Sequence, residues 1–360
     1  MHMIVADIVK VVLPAVLSFI VGVGMTPTVS NYLYNHKMWK KKAGKVSLDG
    51  KPTPIFNELH KDREVNTPRM GGVIIWLSAL ITIIGVSFLS KFIPGQVSNK
   101  LTFLSRNQTL LPLFTLIAGS LVGLFDDLLE VKGSGSHIAG GLSLKKRLLI
   151  VCSIGIVVGS WFFFKLDVST LGLPGGHELY LGWLFIPLFA VITMAIYSGG
   201  VIDGIDGLAG GIFAIIYSAY AGIAFYQQQI NLAAFCLVVV GGILAFLWFN
   251  IPPARFYMSE TGSMGLTITL AVVAFMTDSI GEGYGVLILP IVAMPLVITT
   301  ASVIIQVLSK KFRNGKKIFL VAPIHHHFEA KGWPAYKVTM RFWIIGVVFA
   351  LSGVILALIG

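Results

Sequence analysis

Charged residues are scarce in this sequence. Asp, Glu, Lys and Arg make up 12% of its 360 residues, about half the share of a soluble domain, and only 16 residues are acidic. That shortage excludes a large water-soluble domain. A hydrophobic fraction of 56% and a mean hydropathy of +0.85 point into the membrane instead. Cysteine is scarcer still: Cys152 and Cys236 both fall inside apolar runs, which excludes a disulfide scaffold and leaves them as small apolar side chains. Short segments of alternating polarity are absent, which excludes a transmembrane β-barrel. The first apolar run has no clear small-residue cleavage site and precedes the basic stretch HKMWKKKAGK. It reads as a retained helix, not a secretory signal.

What is present is a series of apolar runs close to the length a helix needs to cross a bilayer, about 20 residues. Ten occur, at roughly 11–32, 71–89, 109–125, 148–165, 181–198, 208–226, 231–249, 263–281, 285–308 and 342–360. They predict an all-α, polytopic integral membrane protein, a single membrane-embedded domain over residues 1–360. Ten spans leave five loops on one side, at about 33–70, 126–147, 199–207, 250–262 and 309–341, and these hold 22 of the 27 Lys and Arg. Basic residues collect in short cytoplasmic loops, so these five face the cytoplasm and both termini face out. The net charge of +11 is therefore a topology signal and does not imply nucleic acid as a partner. Anionic headgroups or phosphates near the surface suit it better.

The same five loops carry the polar chemistry. Asp126 and Asp127 end the third predicted span in LVGLFDDLLE. Acid at a helix C-terminus opposes the macrodipole, so a functional use competes there with a merely solvated end. Neighbouring side chains on a helix point about 100° apart, so the pair is not expected to hold one metal equally. In DGIDG, Asp203 and Asp206 share a face if the segment is helical. If it is a loop, they are ordinary turn residues, and Gly204 and Gly207 admit a close ligand. Glu260, in RFYMSETGSMG, has an aromatic neighbour in Tyr257 and a helix start that suits phosphate. The triplet His325, His326 and His327 has no nearby Cys for a closed zinc site; phosphate binding or proton transfer is the better use. Carboxylates and water suit magnesium, which binds through one or two carboxylates plus substrate phosphates. Together these groups suggest metal-assisted phosphate chemistry at a membrane surface, on a phosphate carried by a lipid.

Several blocks then carry a family likeness: TPRMGG at 67–72, LFDD at 124–127, IDGIDGLAGG at 202–211, LWFN at 247–250, YMSETGS at 257–263 and APIHHHFE at 322–329. In order and spacing the chain resembles the polyprenyl-phosphate N-acetylhexosamine-1-phosphate transferase superfamily. Within it the chain is most similar to the phospho-N-acetylmuramoyl-pentapeptide transferase family, a branch that APIHHHFE favours. The resemblance implies transfer of phospho-MurNAc-pentapeptide from UDP to undecaprenyl phosphate at the bacterial inner membrane, giving lipid I and UMP, with Mg2+ as cofactor. It implies that Asp126 deprotonates the lipid phosphate, that Asp127 supports the site and that Glu260 is the principal metal ligand. Asp203, Gly204, Asp206, Asn250 and Tyr257 would surround the nucleotide, with Tyr257 against the uracil. His325, His326 and His327 would hold the diphosphate or the sugar-peptide. The family often forms homodimers and has a lipid groove beside a bent helix. The ninth run, with Pro290 and Pro295 and the basic exit SKKFRNGKK, suits such a bend.

Three positions depart from the family pattern. Gly200 stands where Asn is usual, Ser259-Glu260 stands where Gly-Asp is usual, and acidic Glu130 replaces a basic residue. The extra methylene of Glu260 moves its carboxylate by about 1.5 Å. The alternatives are a relative using UDP-GlcNAc and, in a different class, a lipid-linked sugar transporter. Against the transporter, charge is nearly absent from the middle of the spans, where ion-coupled carriers keep it.

Overall fold

The computed structural model describes residues 2–41, 65–92, 102–106, 108–133 and 141–359. The middle of the first predicted polar loop, 42–64, and residues 134–140 of the second lie outside the described residues. The helices are α1 (His2–Asn35), α2 (Val73–Phe92), α3 (Leu110–Lys132), α4 (Leu144–Lys165), α5 (Phe185–Ser198), α6 (Leu208–Tyr226) and α7 (Ile230–Asn250). They continue with α8 (Ser259–Phe275), α9 (Gly285–Val292), α10 (Met294–Phe312), α11 (Ile324–Ala330) and α12 (Ala335–Ile359). Ten helical segments among the described residues are long and apolar enough to cross a membrane. A lipid interior offers the backbone no hydrogen-bond partner, so a greasy run must satisfy itself as a helix. The chain is a multi-pass, all-α membrane protein.

Helix α8 is the axis of the bundle. Every residue from Thr261 to Phe275 is buried, whereas α1 and α12 present most of their surface outward. Helix α3 reaches α8 through GSLVG: a Cβ on Gly119 would lie 3.0 Å from Cα of Gly265, and one on Gly123 would collide with the Glu260 carbonyl. Two small residues four apart let two helix backbones touch. That contact brings the Asp126–Asp127 turn of α3 to the first turn of α8.

Three expectations are corrected. The third run does not end in its aspartates: α3 continues to Lys132, and Gly133 closes it in the left-handed conformation (φ 66°), its N–H reaching the Glu130 and Leu129 carbonyls. Apolar character stops at Phe125, but the acids beyond it find partners inside the protein, so the helix has no reason to stop. The ninth run is not one bent helix but two, α9 and α10, divided at Ala293. Pro295 has no N–H to give and suits a first turn, and it stands as the second residue of the new helix. Of the two, only α10 is long enough to cross. Between α4 and α5, where no element was expected, a hairpin pairs β1 (Thr170–Leu173) with β2 (His177–Tyr180). It is pinned by buried Asp278, which accepts the N–H groups of Gly172 (2.8 Å) and Val286 (3.1 Å).

Candidate active site

The two adjacent aspartates of α3 are both buried and point to different partners. Asp127 serves α8: its Oδ2 accepts the Thr261 N–H (2.9 Å) and hydroxyl (2.6 Å), and its Oδ1 accepts the Glu260 N–H (3.3 Å). The first N–H groups of a helix have no intrahelical acceptor, and a carboxylate there also complements the dipole. Asp126 turns the other way. Its Oδ2 pairs with Arg147 Nη2 at 2.8 Å while its Oδ1 accepts the Leu142 N–H. Arg147 is a fork, since its Nη1 donates to Glu260 Oε1. Tyr197 donates its hydroxyl to Glu260 Oε2 at 3.3 Å. One guanidinium thus spans Asp126 and Glu260, and Glu260 keeps about a fifth of its surface open (20%).

A second cation flanks Asp127. Arg69 Nη2 lies 3.1 Å from Glu130 Oε2 and its Nε 3.8 Å from Asp127 Oδ1; Lys40 Nζ meets Glu130 Oε1 at 3.1 Å. The block containing Arg69 is held in register with the block containing Glu260. The Tyr257 N–H donates to the Pro68 carbonyl (2.9 Å), Gly71 to Tyr257 (2.8 Å) and Gly72 to Met258 (3.2 Å). That pairing is why TPRMGG and YMSETGS, nearly 200 residues apart, act as one unit.

Ser259 sits in the left-handed region at φ 57°, where a side chain costs about 1–2 kcal/mol and glycine adds no strain. Its buried Oγ has no hydrogen-bond partner among the described residues. Ser259→Gly, which places there the residue the resemblance leads one to expect, is expected to stabilise the protein by about 1 kcal/mol. The check is a higher unfolding temperature in detergent; an unchanged or lower one contradicts the strain.

DGIDG is a loop. A single 3-10 turn (Gly199–Ile202) precedes it and α6 follows. Asp203 Oδ2 accepts the Ser259 N–H (2.9 Å) and Asp206 Oδ2 accepts the Ala254 N–H (3.1 Å). Asn250 accepts the Gly207 N–H (2.9 Å) and donates to the Phe256 carbonyl (2.8 Å). The aspartates and Asn250 thus brace the connection from α7 to α8. Tyr257, half-buried, lies in that connection. A Cβ on Gly204 would lie 2.5 Å from His325 Nε2 and 2.7 Å from His326 Nε2, so only glycine admits both imidazoles against the loop. At Gly200, where the resemblance leads one to expect Asn, a Cβ would make ordinary contact with Ser263 at 3.6 Å.

The histidine triplet divides on α11. His325 and His326 are buried with rings 4.3 Å apart, and His326 Nδ1 meets Glu329 Oε2 at 2.6 Å. His327 faces away, accepting the Leu320 N–H at 3.1 Å. Partial burial and the Lys331 ammonium hold its imidazole below the usual histidine value. The predicted residues therefore gather at one end of the bundle, linked from Asp127 through Glu260, Ser259 and Asp203 to the Gly204–histidine contact, with His327 turned aside. Sequence reading missed Arg69, Arg147, Tyr197, Thr261 and Lys40. Thr261 and Arg69 lay inside quoted blocks; Arg147 was visible only as one of many loop cations.

Residues 109–278 match a family model described as glycosyl transferase family 4. Over 95% of its length the chain is 32% identical to a phospho-N-acetylmuramoyl-pentapeptide-transferase of Geobacillus sp. (strain WCH70), covering 96% of that protein. The chain belongs to the phospho-N-acetylmuramoyl-pentapeptide-transferase family. Other family members are as near: one from Listeria innocua is 36% identical over 81% of this chain and 85% of its own length. Another, from Levilactobacillus brevis, is 32% identical over 96% of this chain and 98% of its own length. The stretch matched by the family model runs from the start of α3 to Asp278 and contains Asp126, Asp127, Arg147, the DGIDG loop and Glu260.

Proposed function

We propose that this protein transfers phospho-MurNAc-pentapeptide from its UDP carrier to undecaprenyl phosphate, forming lipid I and UMP in peptidoglycan synthesis. The observation that carries it is the meeting of Asp126 and Glu260 on one arginine at the first turn of the central helix. An oxygen of the lipid phosphate bonds to the sugar-side phosphorus, and the anhydride bond to uridylate breaks, UMP leaving with the electron pair. Asp126 keeps the acceptor phosphate ionised, and Arg147 orients the anionic groups in line. His325 and His326, set over Gly204, bind the diphosphate or sugar-peptide side, and Tyr257 faces the uracil.

Mg2+ is the proposed cofactor, and the residues fit it. The donors are two carboxylates close enough to share a guanidinium, one of them partly open. That is the donor set of an ion completing its shell with water and substrate phosphate, not of a closed zinc site. Glu260 and Asp126 would hold the ion, which when bound draws charge from the diphosphate and eases departure of UMP. The basic loops support a cytoplasmic site in the bacterial inner membrane with both termini outside. The break between α9 and α10 supports sideways entry of the prenyl chain.

The test is UMP release by purified protein given polyprenyl phosphate and either UDP-MurNAc-pentapeptide or UDP-GlcNAc, with Mg2+ or with a chelator. Release only from the muramoyl donor, lost with the chelator, supports the reading. Release only from UDP-GlcNAc overturns it, and substrate movement across sealed vesicles without UMP favours a transporter.

A further inference from the structure

Glu130 is the acid of this site that the proposed chemistry leaves unused. It follows Asp126 by four residues and Asp127 by three on α3, so it lies one turn beyond both. Its carboxylate is 8% exposed and takes two cations, one on each oxygen: Lys40, itself 5% exposed, from the turn after α1, and Arg69 from the block bonded to Tyr257 and Met258. Charge therefore alternates from Lys40 through Glu130 and Arg69 to Asp127, and Asp127 holds the first turn of α8, where Glu260 begins. An arginine between two carboxylates is positioned by both. The hold of Glu130 on Nη2 keeps the guanidinium from closing on Asp127, whose two oxygens already serve three donors on Glu260 and Thr261. Without Glu130, buried Lys40 and half-buried Arg69 lose their shared counter-charge, and Arg69 competes for the acceptors that orient α8.

We propose that Glu130 is a positioning residue for the transfer: through Arg69 it keeps Asp127 committed to the first turn of α8 and so sets the direction of Glu260. Its activity readout rests on the transferase reading above; its structural readout does not.

The experiment compares Glu130→Gln, which keeps shape and removes charge, with Glu130→Asp, which keeps charge at shorter reach. Glu130 touches no substrate, so Glu130→Gln is expected to lower kcat for UMP release roughly 10- to 100-fold while KM for the nucleotide donor stays nearly constant. Glu130→Asp is expected to lose less. In an Arg69→Gln background, Glu130→Gln is expected to add little, because neighbours acting through one another are not additive. Hydrogen exchange, read without any turnover, is expected to quicken at the amides of Gly71, Gly72, Glu260 and Thr261. Faster exchange in the variant, where the unsubstituted protein releases no UMP, sinks the transferase reading and leaves the brace standing. Unchanged exchange in Glu130→Gln overturns the proposal. So does a kcat loss undiminished in the Arg69→Gln background, or an equal loss in the Asp and Gln variants.

Discussion

Glu260→Ala is expected to reduce UMP release roughly 10³-fold with the protein still folded. Glu260 is the one acid of the cluster that is both partly open and tied to Asp126 through a shared arginine. Truncation removes one of the two proposed metal oxygens and frees one arm of Arg147, leaving it on Asp126 alone. The packing of α8 does not depend on that side chain: the residues from Thr261 onward hold the core, and the Glu260 N–H still reaches Asp127. The check is kcat at saturating donor across a Mg2+ titration, beside an unfolding curve. Full activity in the alanine variant would reject the metal role.

Asp127→Ala is expected to fail in the opposite way, by loss of stability. Asp127 is wholly buried, accepts three hydrogen bonds from the start of α8 and faces Arg69. Removing one partner of a buried charge pair costs about 3–5 kcal/mol, and the orphaned N–H groups of α8 add to that. Asp127→Asn, whose amide oxygen still accepts, is expected to cost less. Denaturant unfolding in detergent ranks the three proteins. A stable, folded Asp127→Ala that is merely inactive would reassign Asp127 from holding the helix to handling substrate.

These contrasting expectations for acids of one cluster were only partly legible in the sequence. Apolar runs revealed the number of spans because a lipid interior leaves the backbone no alternative, and the 100° rule anticipated that Asp126 and Asp127 would diverge. Hydropathy could not follow α3 past Phe125, because the acids there are paired by Arg147, Arg69 and Lys40, from elsewhere in the chain. Nor could it separate Arg147 from the surrounding loop cations, since proximity to Glu260 is a fact of folding and not of spacing. The job of DGIDG was equally hidden: its acids accept backbone N–H groups about fifty residues away, and no local pattern advertises an acceptor for a distant amide. The histidines were readable as a block, but their division into a buried pair and an outward third depends on where Gly204 lies.

The enclosure of α8 has a mechanical consequence. A helix with 89% of its spanning window buried has almost no surface on which lipids can push. Changes in bilayer thickness or lateral tension act first on helices such as α1 and α12, whose surfaces are mostly open. They reach Glu260 only after crossing an intervening layer of protein. The groups proposed to react are thereby cushioned from the fluctuations of the surrounding bilayer.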